Sequence, residues 1–544
     1  MFSIKESSRS CLRKLFCLSG LLLALQLSSC EKDEVLNEPV REQQTGSKEI
    51  RLGAKVESPF LLRNMQRSVD TLSARSGLRS QTVLKPTHLY VRFLPADTAQ
   101  YERLVADTTL DFDSYPLDYE LTEGDSYHDP SLPADVITWQ YTVVPADYDL
   151  KGLGIMYEVL DELYILDEDL EREDISVGDT QLRSGKGSGL SWKSVVDEAL
   201  IQTGNVGETT LRSKWTPAAT IKAYDDLMGK YIPLQGVKVR IRYFAFLKAY
   251  HYTDANGNVT FSSKRTSVEY SIEWECEKWD IRYKLTQAYS NGPDQKSRWN
   301  LNINTSNMTR LHLASIHRAL YKYYYGDACG LKRPDEALKI IYDDKDVDAP
   351  NGTTYYVNIE FFKGALSAIQ IYGLEGKGVY KPASSVLSTT LHELTHASHC
   401  LFVGFTKYVQ TDLIIREALA LAGQWVLTKD EYKTIDRTSN KAYDDLLSLI
   451  ECQDWPYTKS KEEGRRWKRN IKYSPLMIDM IDDINQAKEN RPLDDNVTGF
   501  SLHLIQRSIH EIQSVDDFEN FATHGRIGNE SLDSYFTQFK KYYK

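Results

Sequence analysis

The rhythm of apolar and polar positions divides this chain into stretches that predict different structures. An apolar run from Leu15 to Leu27 is followed, up to about Leu84, by a polar stretch with few aromatics. Such a stretch cannot bury enough apolar surface to fold alone, so residues 30–84 are predicted to be a disordered tether. Thr87 to Leu94 and Ile137 to Val144 then alternate with period two in β-branched and aromatic residues, predicting a β domain over 85–170. A connector is predicted over 171–210, carrying glycines from Gly185 to Gly189 and a short amphipathic helix from Trp192 to Ile201. Three further period-two runs, Val237 to Phe244, Asn258 to Phe261 and Val268 to Trp274, with a turn at Thr253 to Gly257, predict an antiparallel β-sandwich over 211–282. Beyond Tyr283 the period becomes helical, starting with His312 to Tyr325. Two strands, Thr354 to Phe361 and Ala365 to Tyr372, precede a mostly helical remainder, so 283–544 is predicted to be α+β. The expected fold class is multidomain α+β.

The first apolar run changes the picture of where the protein works. Lys5, Arg9, Arg13 and Lys14 precede it, and it is too short to cross a bilayer, which predicts a signal peptide over residues 1–29. Leu27 to Cys30 resembles a bacterial lipobox, which implies a lipid attached to Cys30 and membrane association through that anchor alone. Glu31, Lys32, Asp33 and Glu34 resemble the surface-export signal of Bacteroidetes lipoproteins. That resemblance implies an outer-membrane lipoprotein displayed at the cell surface, with a periplasm-facing lipoprotein as the alternative.

Composition narrows the function classes. With 41% hydrophobic and 26% charged residues and a mean hydropathy of -0.46, the chain is not a membrane-embedded bundle. A net charge of -11 repels phosphate backbones and no Lys/Arg stripe offsets it, so nucleic acid is not an expected partner. Cys276, Cys329, Cys400 and Cys452 form no CxxC pair. They are expected to be small buried hydrophobes rather than a disulfide framework.

One helix carries the chemistry. Val386, Leu387, Leu391, Leu394 and Leu401 give it an apolar face, Ser384 is placed to cap it and Gly404 to end it. His392 and His396, four apart, project from that helix in successive turns and can share a tetrahedral zinc ion, with Glu393 beside them. Zinc so held acidifies a water in its open position, and Glu393 is placed to take the proton as general base. A third ligand is needed, and Glu417 is the candidate, on a second helix predicted from Asp412 to Leu427. His399 lies too far round the helix to be a ligand and is expected in an outer shell or the core. Ala365 to Tyr372 is the candidate edge strand for pairing with an extended substrate, and Tyr473 a candidate to stabilise the transition state. His503 and His510 are assigned no role.

The phrase Arg416 to Ala420, about 20 residues after His396, resembles the third-ligand helix of gluzincins, the thermolysin and aminopeptidase group. The turn phrase Tyr252 to Gly257 resembles that of transthyretin-like (Ig-like) modules of secreted carboxypeptidases and Bacteroidetes surface proteins. Taken with the lipobox and the β modules, HELTH at 392 to 396 and Glu417 resemble the zinc-binding metallopeptidases that Bacteroidetes encode as lipoproteins. That resemblance implies a zincin-like C-terminal domain and hydrolysis of extracellular protein, peptide or glycoprotein. The alternative is a catalytically inactive zinc-binding adhesion lipoprotein acting through its β modules.

Overall fold

The computed structural model describes residues 46–76, 83–166, 191–207, 211–335, 337–344, 356–357, 368–374, 378–435, 443–444, 446–447, 474–485, 493, 495–524 and 531–543. Cys30, Tyr473, Cys452 and most of the strand expected at Thr354 to Phe361 lie outside them.

The N-terminal elements are β1 (Leu52–Lys55), α1 (Leu62–Arg75), β2 (His88–Leu94), α2 (Thr98–Val105), β3 (Tyr119–Leu121), β4 (Gln140–Pro145), β5 (Met156–Leu163) and α3 (Trp192–Gln202). Strands β4, β2 and β5 form an antiparallel sheet in that order, with α2 seated on one face through Leu104 against Val91 and Phe93. The structure departs here from the expected tether. Helix α1 buries Met65 and Val69 against Val195 and Ala199 of α3, and Arg75 reaches Glu198 at 2.8 Å. A sparse apolar stripe suffices when its partner comes from more than 120 residues further along.

Two four-stranded sheets follow, built from β6 (Ala218–Asp225), β7 (Lys230–Pro233), β8 (Lys238–Tyr243), β9 (Leu247–Tyr252), β10 (Asn258–Thr260) and β11 (Val268–Glu273). The chain then leaves them to make β12 (Trp279–Tyr283) and β13 (Thr286–Gln287), and returns as β14 (Tyr289–Gln295) and β15 (Trp299–Ile303). One sheet has the order β10-β6-β15 with β7 also on β6, the other β14-β11-β8-β9. They meet through Tyr270, whose hydroxyl accepts from Ala218 N and whose ring contacts Trp299. The expected sandwich is corrected in two respects. Strands β6 and β15 are parallel, and its boundary lies at Ile303, with β12 and β13 given over to a different sheet.

Period-two alternation explains the faces of β8 and β11. Val239, Ile241, Tyr270 and Ile272 point into the core. Arg240, Arg242, Glu269 and Glu273 point the other way and are buried by the segment around Asp113 and Tyr115. There each charge has an opposite: Arg240 with Asp113 (2.7 Å) and Glu273 (3.2 Å), Arg242 with Glu269 (2.6 Å), Lys248 with Asp111 and Asp113 (both 2.6 Å).

The remainder comprises α4 (Met308–Tyr325), β16 (Leu338–Asp343), β17 (Tyr356–Val357), β18 (Ile369–Tyr372), α5 (Ala383–Val403), α6 (Phe405–Gln410), α7 (Leu413–Ile435), α8 (Leu476–Asp479), α9 (Leu502–Ser508), α10 (Val515–His524) and α11 (Ser531–Tyr543). Its sheet runs β13-β12-β16-β18-β17, with parallel pairing from β12 through β18. Helices α4 and α7 both pack on α5, and one hydrophobic core runs from Ile221 in the first sheet to Phe539 in the last helix. Among the described residues no helix is long and apolar enough to cross a membrane. The protein is a mixed α+β chain with several sheets.

Candidate metal centre

Helix α5 is buried on almost every side, from Ala383 to Cys400, which suits a central helix and not a surface one. Its start differs from the expectation. Ser384 lies inside the first turn, and the residue at the cap, Pro382, makes no side-chain hydrogen bond. One free N–H group is served from a distance: Ser384 N donates to Asp226 Oδ1 (2.8 Å), and the Ser384 hydroxyl donates to Asp226 Oδ2 (2.5 Å). Gly404 ends the helix as expected, at φ +82°, a conformation that favours glycine.

Helix α7 lies close against α5, and Gly423 allows it. A Cβ on Gly423 would fall on the Thr395 side chain of α5. This approach brings Glu417 to the two histidines, its Oε2 lying 3.3 Å from His392 Nε2 and 3.3 Å from His396 Nε2. One donor atom from each of the three residues falls within 4.8 Å of the others, a set that could hold a metal ion.

The hydrogen bonds behind the imidazoles test whether a cation fits. Ser388 Oγ donates to Ser385 O (3.2 Å) and so accepts from Gln424 Nε2 (3.3 Å). The Gln424 carbonyl oxygen therefore faces His392 Nδ1 (3.1 Å), which must carry the proton. His392 Nε2 is then a bare lone pair aimed at a carboxylate oxygen, an arrangement that repels unless a cation or a proton lies between. His396 Nδ1 meets Tyr408 Oη at 3.2 Å, so both rings have an outer partner and both present Nε2 to Glu417. The donor set fits a metal ion.

Electrostatics separate the two glutamates. Burial alone would raise the Glu417 carboxyl, but a positive charge on the His396 and His392 imidazoles, in the place a bound cation would take, outweighs it and holds the group well below the usual carboxylate range. Burial pushes Glu393 up to about 8, opposed by His392 and assisted by Glu417. Glu393 is 1% exposed, and its Oε2 has no hydrogen-bond partner among the described residues.

Other expected residues lie elsewhere or play other parts. His399 is fully buried, edge-on to the Tyr408 ring at 5.1 Å, and neither of its ring nitrogens has a hydrogen-bond partner among the described residues. His510 is exposed, pairs with Glu511 at 3.3 Å and is not part of the triad, and neither is His503, which packs on Gly330. Strand β18, expected as the substrate-pairing edge, is internal: β16 pairs it on one side and β17 on the other. Cys276, Cys329 and Cys400 are unpaired, and of the three only Cys400 is fully buried. Gln424, Ser388, Tyr408 and Asp226 were not anticipated. Gln424 left a usable signal, lying two helical turns after Glu417 on the same face of α7.

No family model, curated protein or solved structure matches this chain. The functional reading therefore rests on the geometry of the site.

Proposed function

We propose that the chain is a zinc-dependent peptidase of the gluzincin type, anchored through a lipid on Cys30 at the outer membrane and acting on extracellular protein or peptide. The observation that carries this reading is the convergence of His392, His396 and Glu417 beside a glutamate whose carboxylate oxygen has no partner. When bound, zinc supplies a Lewis acid that polarises a peptide carbonyl and acidifies water. His392, His396 and Glu417 would hold it, and Gln424 and Tyr408 keep the two rings turned toward it. Glu393 Oε2 takes the proton from the attacking water and returns it to the leaving amine nitrogen.

Glu393→Gln tests the reading directly. Hydrolysis of a peptide library should fall by roughly 10²- to 10⁴-fold while bound zinc stays at the wild-type level. Equal hydrolysis by the two proteins would sink it.

A second reading, a binding lipoprotein with a structural metal, is favoured by one observation. The side chains of His392, His396 and Glu417 are only 5%, 7% and 15% exposed. A cleft of about 1100 Å³, lined by Glu102, Lys238, Tyr250, Glu275 and Arg282 among others, contains none of them. Binding to a glycan or protein array that survives both chelator and Glu393→Gln would favour this alternative.

A further inference from the structure

Only the alternative reading gives the two sheets between Ala218 and Ile303 a role, as a binding module, yet one turn of theirs grips the helices that carry the metal ligands. Asp225 ends β6 and is 1% exposed. Its Oδ1 accepts from the N–H groups of Leu227 and Met228, both at 3.0 Å, which fixes the turn itself. Its Oδ2 accepts from Arg318 of α4 (2.8 Å) and from the Tyr432 hydroxyl of α7 (2.9 Å). Arg318 also holds Glu431 of α7 at 3.2 Å. The next residue, Asp226, caps α5 through both bonds to Ser384.

We propose that Asp225 and Asp226 are positioning residues for the metal centre, setting the register of α5 against α7. This inference rests on the triad being a metal site. The turn holds α5 about 12 Å before His392 and α7 about 22 Å beyond Glu417, at 1.5 Å per residue along each helix. The two helices therefore meet the same turn with opposite ends and run antiparallel. Sliding one against the other would carry Glu417 away from the two imidazoles, because a helix shifts as a rigid rod and its ligands move with it. Near the ligands the two helices are already interlocked by Thr395 against Gly423 and by Gln424 with Ser388 and His392, and the turn adds a second hold at their far ends. Two adjacent carboxylates joined to three helices tie those ends together. The sheet pair thus acts as the fixed frame of the metal centre.

Cobalt(II) titration of the full chain tests the proposal, because the visible bands of the ion report the arrangement of its ligands. Asp226→Ala should weaken cobalt binding by roughly tenfold and shift the bands, since the cap it removes holds the ligand helix in place. Asp226→Asn keeps an acceptor for Ser384 N and should recover most of the affinity. Asp254→Ala serves as control. Among the described residues the Asp254 side chain bonds only within its own turn, to the N–H groups of Asn256 and Asn258, so its loss should lower stability and leave cobalt affinity and spectrum at wild-type values. Should Asp226→Ala not fold, Ser384→Ala, which loses the hydroxyl bond alone, is expected to shift the bands in the same direction. Wild-type affinity and spectrum in folded Asp226→Ala or, failing that, in Ser384→Ala overturn the clamp. A wild-type chain that takes up no cobalt overturns the metal-site reading beneath it.

Discussion

Two buried polar clusters in this molecule are built on opposite plans. Behind β8 and β11, the carboxylates Asp111, Asp113, Glu269 and Glu273 are matched by Arg240, Arg242 and Lys248, each held at 2.6 to 3.2 Å. Between α5 and α7, Glu417 faces two imidazole nitrogens, Glu393 lies beside them, and among the described residues no Lys or Arg forms an ion pair with either glutamate. The first cluster gives every carboxylate a cationic partner from within the chain. The second gathers acceptors around a point where a positive charge is wanting. Burial is common to both, so burial does not distinguish a site from a scaffold; the charge balance does.

Breaking the balance of the first cluster should have the largest effect. Arg240→Ala takes Glu273's ion-pair partner away in the interior and leaves Asp113 with Lys248 alone, and should cost about 3 to 5 kcal/mol in chemical denaturation. Zinc stoichiometry of the folded fraction should not change. A loss below about 1 kcal/mol would show that the network contributes little.

Acid sharpens the contrast between kinds of histidine. His312 lies between the Tyr342 hydroxyl and Lys381 O, and His317 meets Gln235 O, all neutral partners. Burial lowers each ring to about 4. The folded state thus favours the neutral rings. Their contribution is fully present above the unfolded value near 6.5 and is lost as pH falls through about 4, on the order of 3 kcal/mol each. Denaturation midpoints measured from pH 7 down to 4 should fall in wild type and fall less in His317→Gln. Parallel curves would contradict the assignment.

The smallest expected effect isolates the outer partner of a ligand. Gln424→Met keeps the volume but removes the acceptor at His392 Nδ1. It should weaken zinc binding by about 10- to 100-fold, read by chelator competition, with metal-free stability little changed. Unchanged affinity would leave Gln424 a packing residue.

What was legible in the sequence was local. Four-residue spacing puts His392 and His396 on one face of a helix, apolar periodicity outlines that helix and the one bearing Glu417, and Gly404 marks a stop, because each depends on neighbours within a few turns. What was hidden depends on distant partners. Ser384 has the composition of a cap, but Asp226, 158 residues earlier, takes that role. Trp279 to Tyr283 alternates like its sandwich neighbours, yet pairs in parallel with Leu338 to Asp343. Residues 62–75 are too polar to fold alone and become ordered because α3 supplies the other half of their core. Ala365 to Tyr372 has the pattern of a strand, but nothing in a strand's own pattern says whether one edge or two will be paired.

The central claim is that the acceptors between α5 and α7 surround a metal. Metal analysis of the purified wild-type chain beside Glu417→Ala tests it most directly. The account predicts about one zinc per wild-type chain and a loss of most of it in the variant. A wild-type chain without zinc after equilibration, or a Glu417→Ala chain that keeps its full complement, would contradict it.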